Sequence, residues 1–288
     1  MVETLSGNLF DSKAQTLVNT VNCAGIMGKG IALEFRKRFP EMYEDYLCRC
    51  NRKEVKLGFP YVYKNLIPPY VLNFPTKEHW RSDSKLEDII KGLEYLVKMY
   101  KEWDITSLAV PPLGCGQGQL EWQVVGTTIY RYLSKMHIVI ELYVPYVALD
   151  EEPRSGFLEH DIDTEMPKSR RIQPAWVAIV DILDHIEKQT SKNQINQAMF
   201  QKLAYTAMAE ILSTDPDSFN TFSQDLKNGI IRMINNGLIY KERMGNMHAF
   251  GVGPTFNDAK KLYASYLDRW KSTIDKVACM FIEKNNDK

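Results

Sequence analysis

The sequence predicts an α/β protein: a mixed central sheet layered between helices in the N-terminal half, joined to a mainly helical C-terminal part. Three observations predict it. Strand, glycine-bearing loop and helix follow one another twice, at Leu17–Ala32 and again at Ile105–Ser134. The first of these strands, Leu17–Asn22, is nearly all apolar or β-branched, the composition of a strand covered on both faces. After Pro145 the texture becomes charged, and from Gln173 onward it is helical.

Taken in order, Glu3–Ser6 reads as a short first strand, followed by Gly7-Asn8 and a linking segment, Leu9–Gln15. Leu17–Asn22 is the second strand. Gly30–Phe39 mixes Ile31, Leu33 and Phe35 with charged residues and is a helix ended by Pro40, with a second helix at Glu41–Cys50. Tyr61–Tyr63 and Tyr70–Phe74 are strands joined through Pro68-Pro69. Ser84 is placed as an N-cap with Glu87 completing a capping box, opening a helix that ends near Trp103. Ile105–Val110 is a buried strand, Glu121–Ser134 a helix, and His137–Val144 the last strand of this half. The expected domains are 1–150 and 173–288, with a charged, proline-containing linker at 151–172. In the second, helices at Ala175–Glu187, Gln194–Ile211 and Phe219–Asn235 precede a hairpin around Gly245-Asn246 and a final helix, Asn257–Glu283, an order that resembles a winged helix.

Bulk properties narrow the function. The chain has 288 residues and a formal net charge of +0, so no overall basic field draws it to nucleic acid or anionic lipid, and any nucleic-acid contact is local. No apolar run approaches the ~20 residues of a membrane span, and the N-terminus lacks a basic-then-apolar signal pattern. The expectation is a cytoplasmic protein without a membrane partner. The five cysteines form no CxxC pair and no metal-ligand spacing with the five histidines, which suits a reducing compartment. Asp161, Asp163 and Glu165 have cation-site spacing but lack the glycine and distal glutamate of a calcium loop. No metal or cofactor is expected.

The chemistry gathers in the two glycine loops and one lysine. Gly28, Lys29, Gly30 and Ile31 sit where a strand gives way to a helix; there, glycine backbone approaches an oxygen anion closely and the helix N-terminus favours it. Glycine-rich corners also arise merely to turn the chain tightly. The second loop, Gly114-Cys115-Gly116-Gln117-Gly118, repeats the pattern and favours a phosphate-containing ligand. Asn22 lies at a strand end, where α/β sheets place ligand-binding groups. Lys77 follows the strand-end pair Pro75-Thr76. His79 and Trp80 beside it are rings able to stack on a base or ribose, though His79 is better read as a structural or substrate-edge residue than as a catalytic base, and Trp80 and Trp122 equally suit packing. Cys23 and Cys115 read as small packing residues rather than nucleophiles. Arg36, Lys37 and Arg38 read as a solvated helix face.

The stretches GNLFDSKAQTLVNTVNCAGIMGKGIALEFRKRFP, NFPTKEHWR and PPLGCGQGQLEW together resemble a macrodomain, the three-layer α/β/α fold that binds ADP-ribose, in the branch holding the terminal ADP-ribose protein glycohydrolases and the DarG antitoxins. The two-domain length and the helix at Phe200–Tyr205 resemble the DarG family in particular, whose members reverse the ADP-ribosylation of DNA by a DarT toxin. The resemblance implies that Gly28, Lys29 and Gly30 wrap the diphosphate and distal ribose, that Asn22 bonds the distal ribose hydroxyls, and that Gly114–Gly118 close over the diphosphate from the other side. It implies catalysis by Lys77, and Asn22 beside the scissile bond is taken as the second catalytic residue, orienting the attacking water, with Asn8, Leu9, Ile31, Thr76 and His79 as further ligand contacts. The implied partners are ADP-ribose, ADP-ribosylated single-stranded DNA and a DarT-type toxin, for which Asp215, Asp217 and Asp225 are candidate contacts, although ordinary helix-capping acids explain them equally well. Two departures stand out. Many macrodomains carry aspartate where this chain has Asn8, and the protein-directed glycohydrolases carry an acid where this chain has Gly118. A non-catalytic ADP-ribose reader and a glycohydrolase of protein-linked ADP-ribose are the competing readings.

Overall fold

The computed structural model describes residues 1–145, 172–189, 195–211, 216–245 and 247–286. The chain divides into two compact units, Met1–Asp163 and Thr164–Lys288. The stretch read as a linker, 151–172, lies outside the described residues except for Ile172, and Asp161, Asp163 and Glu165 lie outside them entirely.

In the first unit, strands β1 (Val2–Leu5), β2 (Thr16–Asn22), β3 (Tyr61–Tyr63), β4 (Tyr70–Lys77), β5 (Ser107–Val110) and β6 (Val139–Tyr143) form one sheet in the order β1-β6-β5-β2-β4-β3. All neighbours are parallel except β3, which runs antiparallel on the edge against β4. Helices α1 (Gly30–Arg38) and α2 (Pro40–Asn51) cover one face, and their Phe35, Met42 and Tyr46 join Leu17, Val21 and Val71 in one buried cluster. Helix α3 (Leu86–Met99) lies on the other face, where Gly92 meets the Phe74 ring, and packs with α4 (Trp122–Leu133). A strand with helices on both faces has no polar face to show water, which accounts for the apolar run in β2.

Two differences from the sequence reading bear on the site. Strand β4 continues through Pro75 and Thr76 to Lys77, so the lysine ends the strand instead of following it. Helix α3 starts at Leu86 behind Lys85, with no side-chain cap; Ser84 is 1% exposed and turned towards the second glycine loop. A tertiary contact has overridden the local capping preference.

The centre of the sheet holds a buried polar pair. Asn19 Nδ2 donates to Asn73 Oδ1 at 2.9 Å across β2 and β4, where the two residues are register partners. Both side chains are fully buried, and this bond between them forms only when the strands are in register.

The second unit is built on α5 (Pro174–Gln189), whose Trp176 to Ile186 segment is buried almost all round and packs against α6 (Gln197–Ile211), α8 (Phe256–Leu262), α9 (Ala264–Asn286) and strand β9 (Met247–Val252). Asp181, buried in that helix, is paired with Lys260 of α8, and Asp184 with Lys188. Helix α7 (Pro216–Asn235) leads into β8 (Ile239–Met244), which forms the expected hairpin with β9 across Gly245, whose φ of +61° suits glycine. A short strand, β7 (Ile195–Asn196), precedes α6 and adds to β9, giving an antiparallel sheet in the order β7-β9-β8. The last helix is interrupted at Tyr263, so α8 and α9 replace a single expected element.

Removing one half of the buried amide pair leaves the other without its partner, so Asn73→Ala should destabilise the first unit by ~1–3 kcal/mol, whereas replacing both Asn19 and Asn73 by leucine should cost less than the single change. Differential scanning calorimetry of the first-unit transition checks the order.

Candidate active site

The first glycine loop is fixed from beneath. Asn22, 6% exposed at the end of β2, accepts through Oδ1 from the N–H groups of Ala24 (2.9 Å) and Ile26 (3.3 Å) and donates through Nδ2 to the Ile26 carbonyl (2.6 Å). The Tyr46 hydroxyl of α2 donates to the Asn22 carbonyl at 2.7 Å. Met27 is fully buried and plugs the loop into the core. What remains outside is Gly28, Lys29 and Gly30, all exposed, with Gly30 at φ +58° opening α1. Among the described residues, the N–H groups of Gly28, Lys29, Gly30 and Ile31 have no acceptor in the protein. They form the positive end of a helix joined to a flexible-φ corner, an arrangement that receives an anion. The structure therefore gives the Asn22 side chain a positioning role within the loop.

The second loop is equally constrained. Gly114, at φ +75°, leaves no room for a side chain, because a Cβ would lie 2.7 Å from Leu120 Cδ1. Gly118 is tighter: a Cβ there would lie 2.2 Å from the Ser84 hydroxyl and 2.4 Å from the Gly114 carbonyl oxygen. Ser84 also donates its N–H to the Gly118 carbonyl at 2.8 Å. Gly116 and Gln117 form the exposed tip, and a Cβ on Gly116 would meet open space. Among the described residues, the N–H groups of Gly116, Gln117 and Gly118 also have no protein acceptor.

Between the loops runs a groove of ≈ 770 Å³. Of the expected ligand contacts, Asn8, Leu9, Gly30, Ile31, Cys115 and Gly116 line it. Its far end is made by Phe10 with Arg38 stacked on the ring at 4.3 Å, and by Tyr143. Arg38 is thus drawn onto an aromatic ring at the groove, a role its helix-face sequence does not announce. Asn8 caps a one-turn 3₁₀ helix, Leu9–Asp11, by accepting from the Phe10 N–H at 3.2 Å.

Lys77 stands at the other side of the second loop, its Nζ donating to the Gln117 carbonyl at 2.7 Å. Partial burial holds its pKa below the ordinary lysine value, with Asp83 opposing the shift. The first loop is tied to the end of β4 at this point: the Cys23 N–H donates to the carbonyls of Lys77 and Glu78, each at 3.1 Å. Thr76 does not reach the groove; it is 4% exposed and its hydroxyl donates to the Val21 carbonyl. His79 is exposed, its Nδ1 accepting from the Arg81 N–H at 3.3 Å, which suits an edge residue. Burial pushes the Cys23 thiol up to about 11 and raises that of Cys115 as well, so both are protonated packing groups rather than thiolate nucleophiles. Among the described residues no cluster of histidine, cysteine, aspartate or glutamate could hold a metal ion. Tyr46, and the contact of Ser84 with the second loop in place of the expected helix cap, went unrecognised in the sequence because each acts on a loop distant along the chain.

Two backbone anion cradles facing one groove at the tips of a mixed sheet define a class. Residues 18–129 match the Macro domain family. The N-terminal half is a macrodomain related to the DarG DNA ADP-ribosyl glycohydrolases. The DNA ADP-ribosyl glycohydrolase of Mycobacterium tuberculosis is 49% identical over 123 residues, covering 42% of this chain and 35% of that protein. That of Thermus aquaticus is 37% identical over 186 residues, covering 63% of this chain and 49% of that protein. Among solved structures, the macrodomain of Thermus aquaticus DarG is 41% identical, covers 50% of this chain and 99% of its own, and superposes with a TM-score of 0.48. The chain spans about half the length, or less, of the DNA ADP-ribosyl glycohydrolase relatives it matches.

With no space beside Ser84 for a side chain, Gly118→Asp should displace the second loop and destabilise the first unit by ~1–3 kcal/mol. Differential scanning calorimetry of the first-unit transition measures it.

Proposed function

We propose that the macrodomain hydrolyses the N-glycosidic bond joining ADP-ribose to a base of single-stranded DNA, most simply thymine. The observation that carries this reading is the position of the Lys77 amine, held at the rim of the second loop with glycine, not an acid, at residue 118. An acid there would support resolution of a lysine adduct on protein-linked ADP-ribose; this loop has no space for one. The names borne by the relatives support the same choice.

The diphosphate lies across the free N–H groups of the two loops, the adenosine end in the groove towards Phe10, and the distal ribose at the Lys77 end. Cleavage breaks the bond between the anomeric carbon and the base nitrogen. The electron pair leaves with the base, and a water supplies hydroxyl to the carbon and a proton to the base. An imide nitrogen such as that of thymine departs as a comparatively stable anion, so electrostatic help outweighs the need for a strong acid. A positively charged Lys77 supplies that help, and its lowered pKa also makes proton donation easier.

For the C-terminal part, 173–288, we propose a winged-helix-like arrangement in which β8 and β9 form the wing, joined to the macrodomain through 151–172, and docking on a DarT-type toxin in the cytoplasm. The association of transferase and glycohydrolase in one Thermosipho africanus fusion protein supports this pairing. Of the acids offered for that contact, Asp215 lies outside the described residues, as do the side chains of Asp217 and Asp225.

Lys77→Ala should lower kcat on ADP-ribosylated single-stranded DNA by ~10²–10³-fold, the usual cost of losing one transition-state donor, while ADP-ribose still binds. The wild-type rate should fall as pH rises through the Lys77 pKa, and because burial lowers that pKa the fall begins below the ordinary lysine range. Release of ADP-ribose followed by chromatography across pH tests both, and undiminished hydrolysis by the variant would overturn the role assigned to Lys77. Co-expression of residues 173–288 with a DarT-type transferase should yield a complex on size-exclusion chromatography.

A further inference from the structure

The turn that follows Lys77 presents an aromatic and cationic cluster that neither the diphosphate cradle nor the hydrolytic step uses. Trp80 is 41% exposed, three residues beyond the strand-end lysine. The Arg81 guanidinium lies 4.4 Å from the centre of its ring, and the His79 ring lies 5.5 Å away, inclined by 31°. The turn is not loose: His79 accepts from the Arg81 N–H through Nδ1, and its carbonyl accepts from the Ser82 N–H at 3.0 Å. The constrained turn therefore presents part of an indole ring, with a guanidinium and an imidazole beside it, that the fold does not bury. The first loop, tied to the same turn through Cys23, adds a second exposed apolar side chain, Ile26.

We propose that His79, Trp80 and Arg81 form a stacking ledge for an unmodified base adjoining the ADP-ribosylated nucleotide in a single strand. This inference rests on the DNA-directed reading above. With the adenosine end directed to Phe10 and the scissile bond at Lys77, the polymer leaves on the Lys77 side, where this turn follows directly along the chain. Bases stack on indole rings and on guanidinium planes without regard to sequence, which suits an enzyme that must accept many contexts. The ledge also answers the charge problem. The protein has no net positive charge, and Glu78 and Asp83 flank the cluster, so strand binding here draws on stacking rather than on a phosphate field. A glutamate or aspartate side chain carrying ADP-ribose offers nothing to stack, so the ledge favours nucleic acid over protein as the acceptor.

The test compares two substrates with the full chain: a single-stranded oligonucleotide of about ten nucleotides carrying one ADP-ribosylated thymine, and the ADP-ribosylated nucleoside alone. Trp80→Ala should lower kcat/KM on the oligonucleotide roughly ten-fold more than on the nucleoside, with the excess in KM, as expected for one lost base stack. Arg81→Ala should act in the same direction by less, and Trp80→Phe should recover most of the loss. Equal losses on both substrates, or a phenylalanine variant as impaired as the alanine one, would overturn the ledge while leaving the DNA-directed reading in place. If the wild-type protein releases ADP-ribose from neither substrate, the DNA-directed reading itself fails and the ledge with it.

Discussion

The parallel pairing of β2 with β4 is the constraint on which the site depends. It sets the Asn22 end of one strand beside the Lys77 end of the other, with a register shift between Val21 and Asn22 at the point where they stop. The Cys23 N–H then bonds to the first carbonyls beyond the ladder. A slip of one residue would turn Asn19 and Asn73 away from each other and present Lys77 to the opposite face. The buried amide pair thus makes the same register requirement as the hydrophobic alternation, in the middle of the sheet where apolar residues alone would tolerate sliding.

Above that pairing, the loops are shaped by exclusion as much as by bonding. Gly114 and Gly118 are glycines because Leu120, Ser84 and the loop's own carbonyl occupy the space a Cβ needs, whereas Gly116 and Gly28 have room and are positioned for a ligand to come close. The two groups of glycines do different work. One makes the loop compact enough to sit against α3; the other leaves N–H groups facing outward. The same compactness leaves no place for a side chain at residue 118, so what the second loop can present is set by the packing behind it.

Asn22 shows how a strand-end residue can act within its own loop. It stands where α/β sheets gather ligand-binding residues, and its amide is engaged with the backbone of Ala24 and Ile26 and lies under the Tyr46 hydroxyl. Those bonds set the shape of the first loop. Thr76, likewise adjacent to the lysine in sequence, faces the opposite way because alternate strand residues point to opposite faces.

The amino-acid sequence alone determined the layered α/β half, the pairing of two glycine loops with their helices and the hairpin at Gly245, since each is written in short-range patterns: apolar runs, glycine spacing, helical periodicity. The tertiary structure alone decided that Ser84 backs the second loop instead of capping α3, that Tyr46 holds Asn22, that Phe10 and Arg38 finish the groove, and that Ile195–Asn196 joins the C-terminal sheet. Those contacts join residues far apart along the chain. A local pattern carries no record of which distant surface will be pressed against it, and only the packed chain supplies that partner.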